Sequence, residues 1–200
     1  MDILNANQVL ASGGVILHPT ETCYGLACDA FNEKALKKIY EIKGRDAGKP
    51  LAILVADLEM AMEYGVFCEK ALALAARFWP GALSIVVPRT EKLPKFLNKD
   101  EKFVSMRVSS DKFSTDLVKA LKRPIVTTSA NLAGEDAMYE VDMAKFDVPV
   151  SGGLKAKDLI DLVVDGGKIP LNKPSTIVKV DGDSVTVLRQ GDVKICDVPA

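Results

Sequence analysis

The chain has 200 residues, a length that suits one domain with a substantial core. Its formal net charge of −1 excludes an overall basic field of the kind that many nucleic-acid-binding proteins have. No basic N-terminal segment precedes an apolar stretch and no apolar run approaches ~18 residues, so neither a signal peptide nor a membrane span is expected. The four cysteines form no Cys-x-x-Cys pair, so we expect a reducing, cytoplasmic location without structural disulfides or zinc.

Short apolar runs alternate with helical patterns through most of the chain. In chain order, the patterns predict helix 6–11, strand 15–18, helix 33–42, strand 51–55, helix 69–79, strands 83–87 and 104–108, a helix after Asp111, and strands 125–127, 159–164, 176–180 and 185–188. Asn32 and Asp111 are suitable N-caps, and Pro124 ends the helix that Asp111 begins. The C-terminal strands follow one another without helices, which favours a mixed sheet. We therefore predict a single α/β domain over residues 1–200, with a twisted mixed parallel and antiparallel sheet flanked by helices.

The sequence lacks the common catalytic and nucleotide-binding motifs. His18 is the only histidine, and its place at the end of an apolar run is typical of a buried structural residue. No Gly-x-Ser-x-Gly elbow, P-loop or Gly-x-Gly-x-x-Gly loop occurs. A bound nucleotide would therefore be held by side chains and strand-end amides.

Two polar tripeptides provide the groups that a polyanionic ligand needs. Lys43-Gly44-Arg45 lies where a predicted helix ends in a basic turn, and Lys49 follows in the same turn. Ser129-Ala130-Asn131 follows directly after the apolar run 124–128. The first tripeptide offers two cations, and the second offers a hydroxyl and an amide that can hydrogen-bond to anionic oxygens.

Several further polar clusters accompany these tripeptides. In chain order, the whole set is residues 18–26 (His-Pro-Thr-Glu-Thr-Cys-Tyr-Gly-Leu), Lys43-Gly44-Arg45 with Lys49-Pro50-Leu51, Trp79-Pro80-Gly81, Arg107, residues 128–132 (Thr-Ser-Ala-Asn-Leu), Pro174-Ser175-Thr176-Ile177, and Arg189 with Gly191. Together and in this order they resemble the YrdC-type threonylcarbamoyl-AMP synthases, in the short, single-domain form of that family. The Lys-x-Arg and Ser-x-Asn pairs are the hallmark motifs of the family, and the resemblance covers about residues 10–191.

The resemblance implies a nucleotidyltransferase with a YrdC-like fold. Its reaction would form threonylcarbamoyl-AMP and pyrophosphate from L-threonine, bicarbonate and ATP, for the threonylcarbamoyladenosine modification of tRNA. Mg²⁺ would accompany ATP, no protein side chain is predicted as a metal ligand, and separate threonylcarbamoyl-transferase proteins would act downstream. The carbamate oxygen that attacks the α-phosphate is already an anion, so positioning and charge stabilisation would matter more than a general base.

By the same resemblance, each site residue has an expected role. Lys43 and Arg45 would be catalytic, Thr20, Thr22, Arg107 and Thr127 would contact threonine and bicarbonate, and Arg45, Lys49, Ser129, Asn131 and Arg189 would contact the nucleotide. Structural alternatives remain open: Thr20 and Thr22 would simply end a strand, Arg107 would form an internal salt bridge, and Arg189 would be a surface charge.

Three positions depart from the family's pattern, two of them by comparison with the longer, two-domain members. Leu54 stands in place of a histidine that contacts threonine, and Phe103 stands in place of a threonine that contacts the nucleotide. Ala137 stands where the family often has a serine.

Two other functions stay open at this point. One is a non-catalytic module that binds double-stranded RNA or tRNA, which the basic segment 34–50 would permit. The other is carbamoyl-adenylate chemistry on another substrate.

Overall fold

The structure, a computed structural model, describes residues 2–195. The helices within that range are α1 (Ile3–Ala11), α2 (Glu33–Lys43), α3 (Leu58–Tyr64), α4 (Glu69–Phe78) and α5 (Lys112–Leu121). The strands are β1 (Val15–His18), β2 (Gly25–Asp29), β3 (Ala52–Leu54), β4 (Leu83–Pro88), β5 (Phe103–Arg107), β6 (Ile125–Ser129), β7 (Leu162–Val163), β8 (Thr176–Asp181) and β9 (Ser184–Arg189). No helix in residues 2–195 is long and apolar enough to cross a membrane.

All nine strands form one sheet, in the order β7-β1-β2-β6-β3-β5-β4-β8-β9. The pairs β1–β7, β3–β5 and β4–β8 are parallel, and the other neighbouring pairs are antiparallel. The prediction of a mixed sheet is therefore confirmed. Central strands such as β2 are buried along their whole length, because helices cover both faces of the sheet.

Local sequence signals explain where the helices begin and end. The side chain of Asn32 accepts a hydrogen bond from the Ala35 amide at the start of α2, and Asp111 does the same for the Ser114 amide at the start of α5. Both predicted N-caps are confirmed. At the end of α2, Gly44 adopts a left-handed conformation with φ 56°, which glycine tolerates and which turns the chain out of the helix.

Two apolar clusters pack on opposite faces of the sheet. The smaller cluster joins α1 and α5 through Leu10, Phe113 and Leu117. The larger one includes Ile39 and Leu74, from α2 and α4. The sheet is thus held between two helical layers, and its strand ends are free to carry a site.

The structure differs from the predicted elements in a few places. The sequence patterns do not predict β2 or α3, and the strand predicted over 159–164 is wrong at its start, where Ala156–Leu159 is a 3₁₀ helix. β2 escapes prediction because the run Gly25–Asp29 contains no β-branched or aromatic residue and shows no alternation of apolar and polar residues. The aperiodic segment 132–158 contains short 3₁₀ helices and contributes Met138 and Phe146 to the larger cluster.

Candidate active site

A cavity of about 440 Å³ crosses seven neighbouring strands of the sheet. Each of β2, β6, β3, β5, β4, β8 and β9 contributes at least one residue to its lining. Of the ten predicted site residues, eight line this cavity: Thr20, Thr22, Arg45, Arg107, Thr127, Ser129, Asn131 and Arg189. The other two, Lys43 and Lys49, are not in the lining. The fold therefore brings most of the predicted residues together from distant parts of the chain.

The Arg45 region, defined by Arg45, Ser129 and Asn131, is supported by the buried side chain of Lys43. The Lys43 Nζ donates hydrogen bonds to the carbonyl oxygens of Ser129 (2.6 Å) and Asn131 (2.9 Å) and to Asn131 Oδ1 (3.2 Å). An ammonium group has three N–H donors, so all of them are used within the protein. Burial, together with the Arg45 charge, lowers the pKa of Lys43 to about 8. Lys43 thus fixes the Ser-Ala-Asn backbone, and its catalytic contact with a substrate stays a prediction.

The Asn131 amide is held in one orientation. Its Nδ2 donates to the carbonyl oxygens of Leu132 and Glu135, both at 2.8 Å, and its Oδ1 also accepts from the Ser129 hydroxyl. Ser129 and Asn131 are therefore arranged before any ligand binds.

Arg45 projects from the turn that follows α2. One of its terminal nitrogens donates to the Pro50 carbonyl at 3.0 Å, and its Nε is buried with no hydrogen-bond partner among residues 2–195. A guanidinium with unused donors in a cavity lining is suited to bind an anion. Lys49, by contrast, is exposed, and its carbonyl oxygen accepts a hydrogen bond from Tyr40. Its predicted contact with the nucleotide stays a prediction.

The Arg107 region, defined by Thr20, Thr22 and Arg107, is already hydrogen-bonded within the protein. Thr20 Oγ1 donates to the Cys23 carbonyl at 2.7 Å and lies 3.0 Å from Thr22 Oγ1. Since the only hydroxyl proton of Thr20 is used by Cys23, Thr22 must donate to Thr20. The lone pairs of the Thr22 hydroxyl are then left to accept a hydrogen bond from a ligand.

Arg107 forms an internal ion pair, as one of the structural alternatives anticipated, and it also lines the cavity. Its partner is Glu21, whose second carboxylate oxygen accepts a hydrogen bond from Ser109. The Arg107 and Glu21 side chains are 8% and 16% exposed, so the pair is largely shielded from water. Sequence reasoning assigned no role to Glu21, although it stands between two predicted site residues.

Arg189 closes the site from the last strand. Its Nε donates to the Ser175 carbonyl at 2.9 Å and a terminal nitrogen donates to Ser175 Oγ at 3.0 Å, while Ser84 Oγ lies 3.0 Å from Ser175 Oγ. Partial desolvation lowers the pKa of the Arg189 guanidinium, although the residue as a whole is exposed. Arg189 is therefore part of the cavity and not an isolated surface charge. Ser84 was not identified as a site residue from the sequence. The only signal for it was that a polar residue stands inside an apolar strand.

With this geometry established, comparisons with known proteins identify the family. The chain matches the Sua5/YciO/YrdC family model, which is described as "Telomere recombination", over residues 8–191. The chain belongs to this family.

Two relatives within the family are named threonylcarbamoyl-AMP synthase. The proteins from Pyrococcus abyssi and Bacillus subtilis are each 32% identical to this chain, over 196 and 193 residues, and cover 94% and 96% of it. The chain spans only 54% of the length of each of these relatives.

Solved structures of family members share the fold. The structure of P. abyssi Sua5 complexed with L-threonine matches with a TM-score of 0.84 at 31% identity, covering 94% of this chain and 54% of that chain. Escherichia coli YciO matches with a TM-score of 0.83 at 26% identity, covering 96% of this chain and 90% of its own. The predicted YrdC-like α/β fold is therefore confirmed.

The three positions that the sequence resemblance marked as departures from the family pattern are placed differently. Ala137 lines the cavity, whereas Leu54 and Phe103 do not. Leu54 is packed in the smaller apolar cluster, and Lys179 Nζ lies 3.8 Å from the centroid of the Phe103 ring. Of the three, only Ala137 lies on the surface that a ligand would meet.

The lone histidine of this family member is buried outside the cavity lining. Its Nδ1 donates to the Pro19 carbonyl at 2.9 Å, which leaves Nε2 as an acceptor with no partner among the described residues. Burial lowers the pKa of His18 to about 4, so the imidazole is neutral at physiological pH. It has the structural place that the sequence predicted.

The lining residues fit a magnesium ion only as a partner of a bound phosphate. Among residues 2–195 no cluster of three or more His, Cys, Asp and Glu side chains is placed to hold a metal. Glu135 and Asp136 do lie in the cavity lining, beside the Ser-Ala-Asn segment. Mg²⁺ commonly binds one or two carboxylates together with substrate phosphates, and this pair of acidic residues suits that arrangement.

Proposed function

We propose that the protein is a threonylcarbamoyl-AMP synthase that joins L-threonine, bicarbonate and ATP. The observation that carries the proposal is the cavity itself. Three arginines from distant segments, Arg45, Arg107 and Arg189, meet in its lining beside fixed hydroxyl and amide groups. Its relatives' names, and the complex of P. abyssi Sua5 with L-threonine, support the same activity.

The amino acid would bind in the Arg107 region. A guanidinium can hold a carboxylate through two parallel hydrogen bonds, which fixes both its position and its orientation. The free lone pairs of Thr22 would accept a hydrogen bond from the substrate, and Thr127 lines the same cavity from β6. Threonine would thus be recognised by groups that are ordered before it arrives.

The nucleotide would bind through the Arg45 region and Arg189. In the adenylation step, a carbamate oxygen of N-carboxy-threonine forms a bond to the α-phosphorus, and the bond from that phosphorus to pyrophosphate breaks. Arg45 would stabilise the charge that develops on the transferring phosphoryl group. The side-chain protons of Ser129 and Asn131 are donated within the protein, so each residue would bind a phosphate oxygen by exchanging one of those partners for it. Magnesium would supply further neutralisation of the phosphates, with Glu135 and Asp136 as the residues available to hold it.

The reaction would not need a strong general base at this site. The attacking carbamate oxygen is already an anion, and His18 is neutral and buried away from the cavity lining. Catalysis would then rest on positioning and on electrostatic stabilisation.

The proposal extends to the cellular setting. The product would serve threonylcarbamoyladenosine modification of tRNA, with separate transferase proteins downstream and a cytoplasmic location where ATP and tRNA are available.

The alternative of an RNA-binding module gains little from the structure, because Lys37 and Lys38 on α2 are paired with Glu33 and Asp161. Screened, paired cations contribute weakly to phosphate binding.

A single assay tests the proposed activity. Purified protein is incubated with ATP, Mg²⁺, labelled bicarbonate and either L-threonine or L-serine, and the products are measured by mass spectrometry. We expect labelled threonylcarbamoyl-AMP and pyrophosphate only when threonine, bicarbonate and ATP are all present. Absence of a threonine-dependent adenylate would refute the proposal, whereas an equal product with serine would place the chemistry on a broader class of amino acids.

A further inference from the structure

The Glu21 side chain has a different environment from its neighbours in the sequence. Thr20 and Thr22 line the cavity and hydrogen-bond to one another, whereas Glu21 is not in the lining. Its carboxylate instead contacts Arg107 and Ser109. Because Glu21 does not face the cavity, direct contact with a substrate does not explain why this largely buried carboxylate lies against Arg107.

The contact uses only part of the guanidinium. Glu21 Oε1 accepts from Arg107 Nη1, and Glu21 is the only hydrogen-bonding side chain that Arg107 has among residues 2–195. A guanidinium has five N–H donors arranged as a fork. The nitrogens that Glu21 does not use remain available to bind a carboxylate through two hydrogen bonds.

The carboxylate of Glu21 is itself anchored. Its second oxygen accepts from Ser109 Oγ, and the Ser109 hydroxyl oxygen in turn accepts from the backbone amide of Asp111 at 3.1 Å. Asp111 is the N-cap of α5, so this chain of contacts ends on a rigid helix. The Glu21 carbonyl is also held, by Asn172 Nδ2 at 2.9 Å.

We propose that Glu21, anchored by Ser109, is a positioning residue that orients Arg107 to receive the carboxylate of the amino-acid substrate. The inference rests on the proposed function for the identity of that substrate. A long arginine side chain without this contact would lose both its orientation and the neutralisation of a nearly buried charge. The rival explanation is that Glu21 occupies the place of the substrate carboxylate and competes with it, and the two explanations predict opposite changes in affinity.

Four variants separate these explanations. Glu21→Ala removes the contact. Glu21→Gln keeps one accepting oxygen for Arg107 but has neither the charge nor the second accepting oxygen that Ser109 uses. Ser109→Ala removes the anchor of the carboxylate, together with the acceptor of the Asp111 amide. Glu63→Gln is the matched control, because Glu63 forms an exposed ion pair with Lys92. For each variant, calorimetry measures the Kd for L-threonine, steady-state assays measure KM for threonine and for ATP, and thermal unfolding shows that the variant is folded.

Positioning predicts weaker threonine binding with unchanged use of ATP. We expect Glu21→Ala to raise the Kd and KM for threonine by roughly 10²-fold, the scale of a small misplacement, and Ser109→Ala to raise them by roughly tenfold. Glu21→Gln should restore part of the affinity that Glu21→Ala loses, because one accepting oxygen remains for Arg107, and Glu63→Gln should bind like the wild type. If Glu21→Ala does not fold, the comparison of Glu21→Gln and Ser109→Ala with the wild type decides the matter.

The outcomes distinguish this inference from the proposed function. Threonine affinity that is unchanged or tighter in both Glu21 variants, or an equal rise in KM for ATP, would overturn the positioning role. Wild-type protein that binds no threonine would overturn it as well. Wild-type protein that binds threonine but forms no adenylate would refute the proposed function alone, and the threonine Kd values would still decide the role of Glu21.

Discussion

The two regions of the cavity are prepared in different ways. In the Arg107 region, side chains bind one another: Arg107 pairs with Glu21, and Thr22 donates to Thr20. In the Arg45 region, a buried lysine instead holds the backbone of the Ser-Ala-Asn segment, and Arg45 keeps a donor with no partner among the described residues. The Arg107 region is therefore suited to recognise a small ligand by its shape and hydrogen bonds. The Arg45 region keeps positive charge available to stabilise negative charge that develops on a ligand during a reaction.

The largest expected effects come from removing the two arginines. Arg45→Ala should lower kcat/KM by about 10²- to 10³-fold, mainly through kcat, because a preorganised charge would be lost where phosphoryl charge develops. Arg107→Ala should cause a loss on a similar scale, about 10²-fold, that appears mainly in KM for threonine. Steady-state kinetics with each substrate varied in turn measures both.

The control for this pair is Lys92→Ala, which removes an exposed cation outside the cavity lining and should leave kcat/KM unchanged. If Arg45→Ala and Arg107→Ala alter the same kinetic constant, the distinction between the two regions is wrong.

Acid should weaken the protein through the histidine beside the Arg107 region. The pKa of His18 is lowered from 6.5 to about 4 in the folded state by burial, so below pH 6.5 the unfolded chain takes up a proton that the folded chain does not. Stability is therefore complete above pH 6.5 and falls as the pH is lowered towards 4. The expected decrease in the free energy of unfolding is about 3 kcal/mol, measured by urea unfolding at several pH values.

His18→Asn provides the comparison for this measurement, since its amide can still donate to the Pro19 carbonyl but has no proton to gain near neutral pH. The variant should lose less stability than the wild type over the same pH range. Parallel curves for the two proteins would show that another group is responsible.

Replacing Lys43 tests the support of the Arg45 region. Lys43→Met removes three hydrogen bonds and leaves the Ser129 and Asn131 carbonyls without their donor. Leaving such groups unsatisfied should lower the free energy of unfolding by about 1–3 kcal/mol. We expect KM for ATP to rise by roughly tenfold, with little change in KM for threonine. The exposed Lys37→Met serves as its control, and an equal rise for threonine would contradict the assignment of Lys43 to one region.

The alkaline range gives a second test of Lys43. Its pKa of about 8 means that the ammonium loses one of its three N–H donors as the pH rises through that value. Apparent affinity for ATP should therefore decrease above pH 8 in the wild type, and this pH dependence should be absent from Lys43→Met.

Much of the fold could be predicted because its signals are local. The N-caps Asn32 and Asp111 and the apolar faces of α2 and α5 are visible within a few residues of sequence. By contrast, β2 contains no β-branched or aromatic residue and shows no period, and the apolar run 159–164 predicts a strand longer than the two residues of β7.

The site divides in the same way between local and long-range information. The polar motifs named eight residues that line the cavity, but they could not show that Glu21 contacts Arg107 across 86 positions or that Lys43 donates to Ser129. These contacts exist only because the sheet brings distant strand ends together. The sequence shows which groups are present, and the fold decides which of them contact each other and which remain free for a ligand.

The smallest expected effect concerns Lys49, which the motif placed with the nucleotide and the structure places in an exposed turn outside the lining. If the Arg45 region is complete as described, Lys49→Ala should change KM for ATP by no more than about twofold, because a solvated charge interacts weakly across water and salt. Steady-state assays with ATP varied at two ionic strengths measure this change in KM. A rise of tenfold or more would mean that the turn carrying Lys49 moves onto the phosphates when ATP binds, and that the Arg45 region is completed only by that movement.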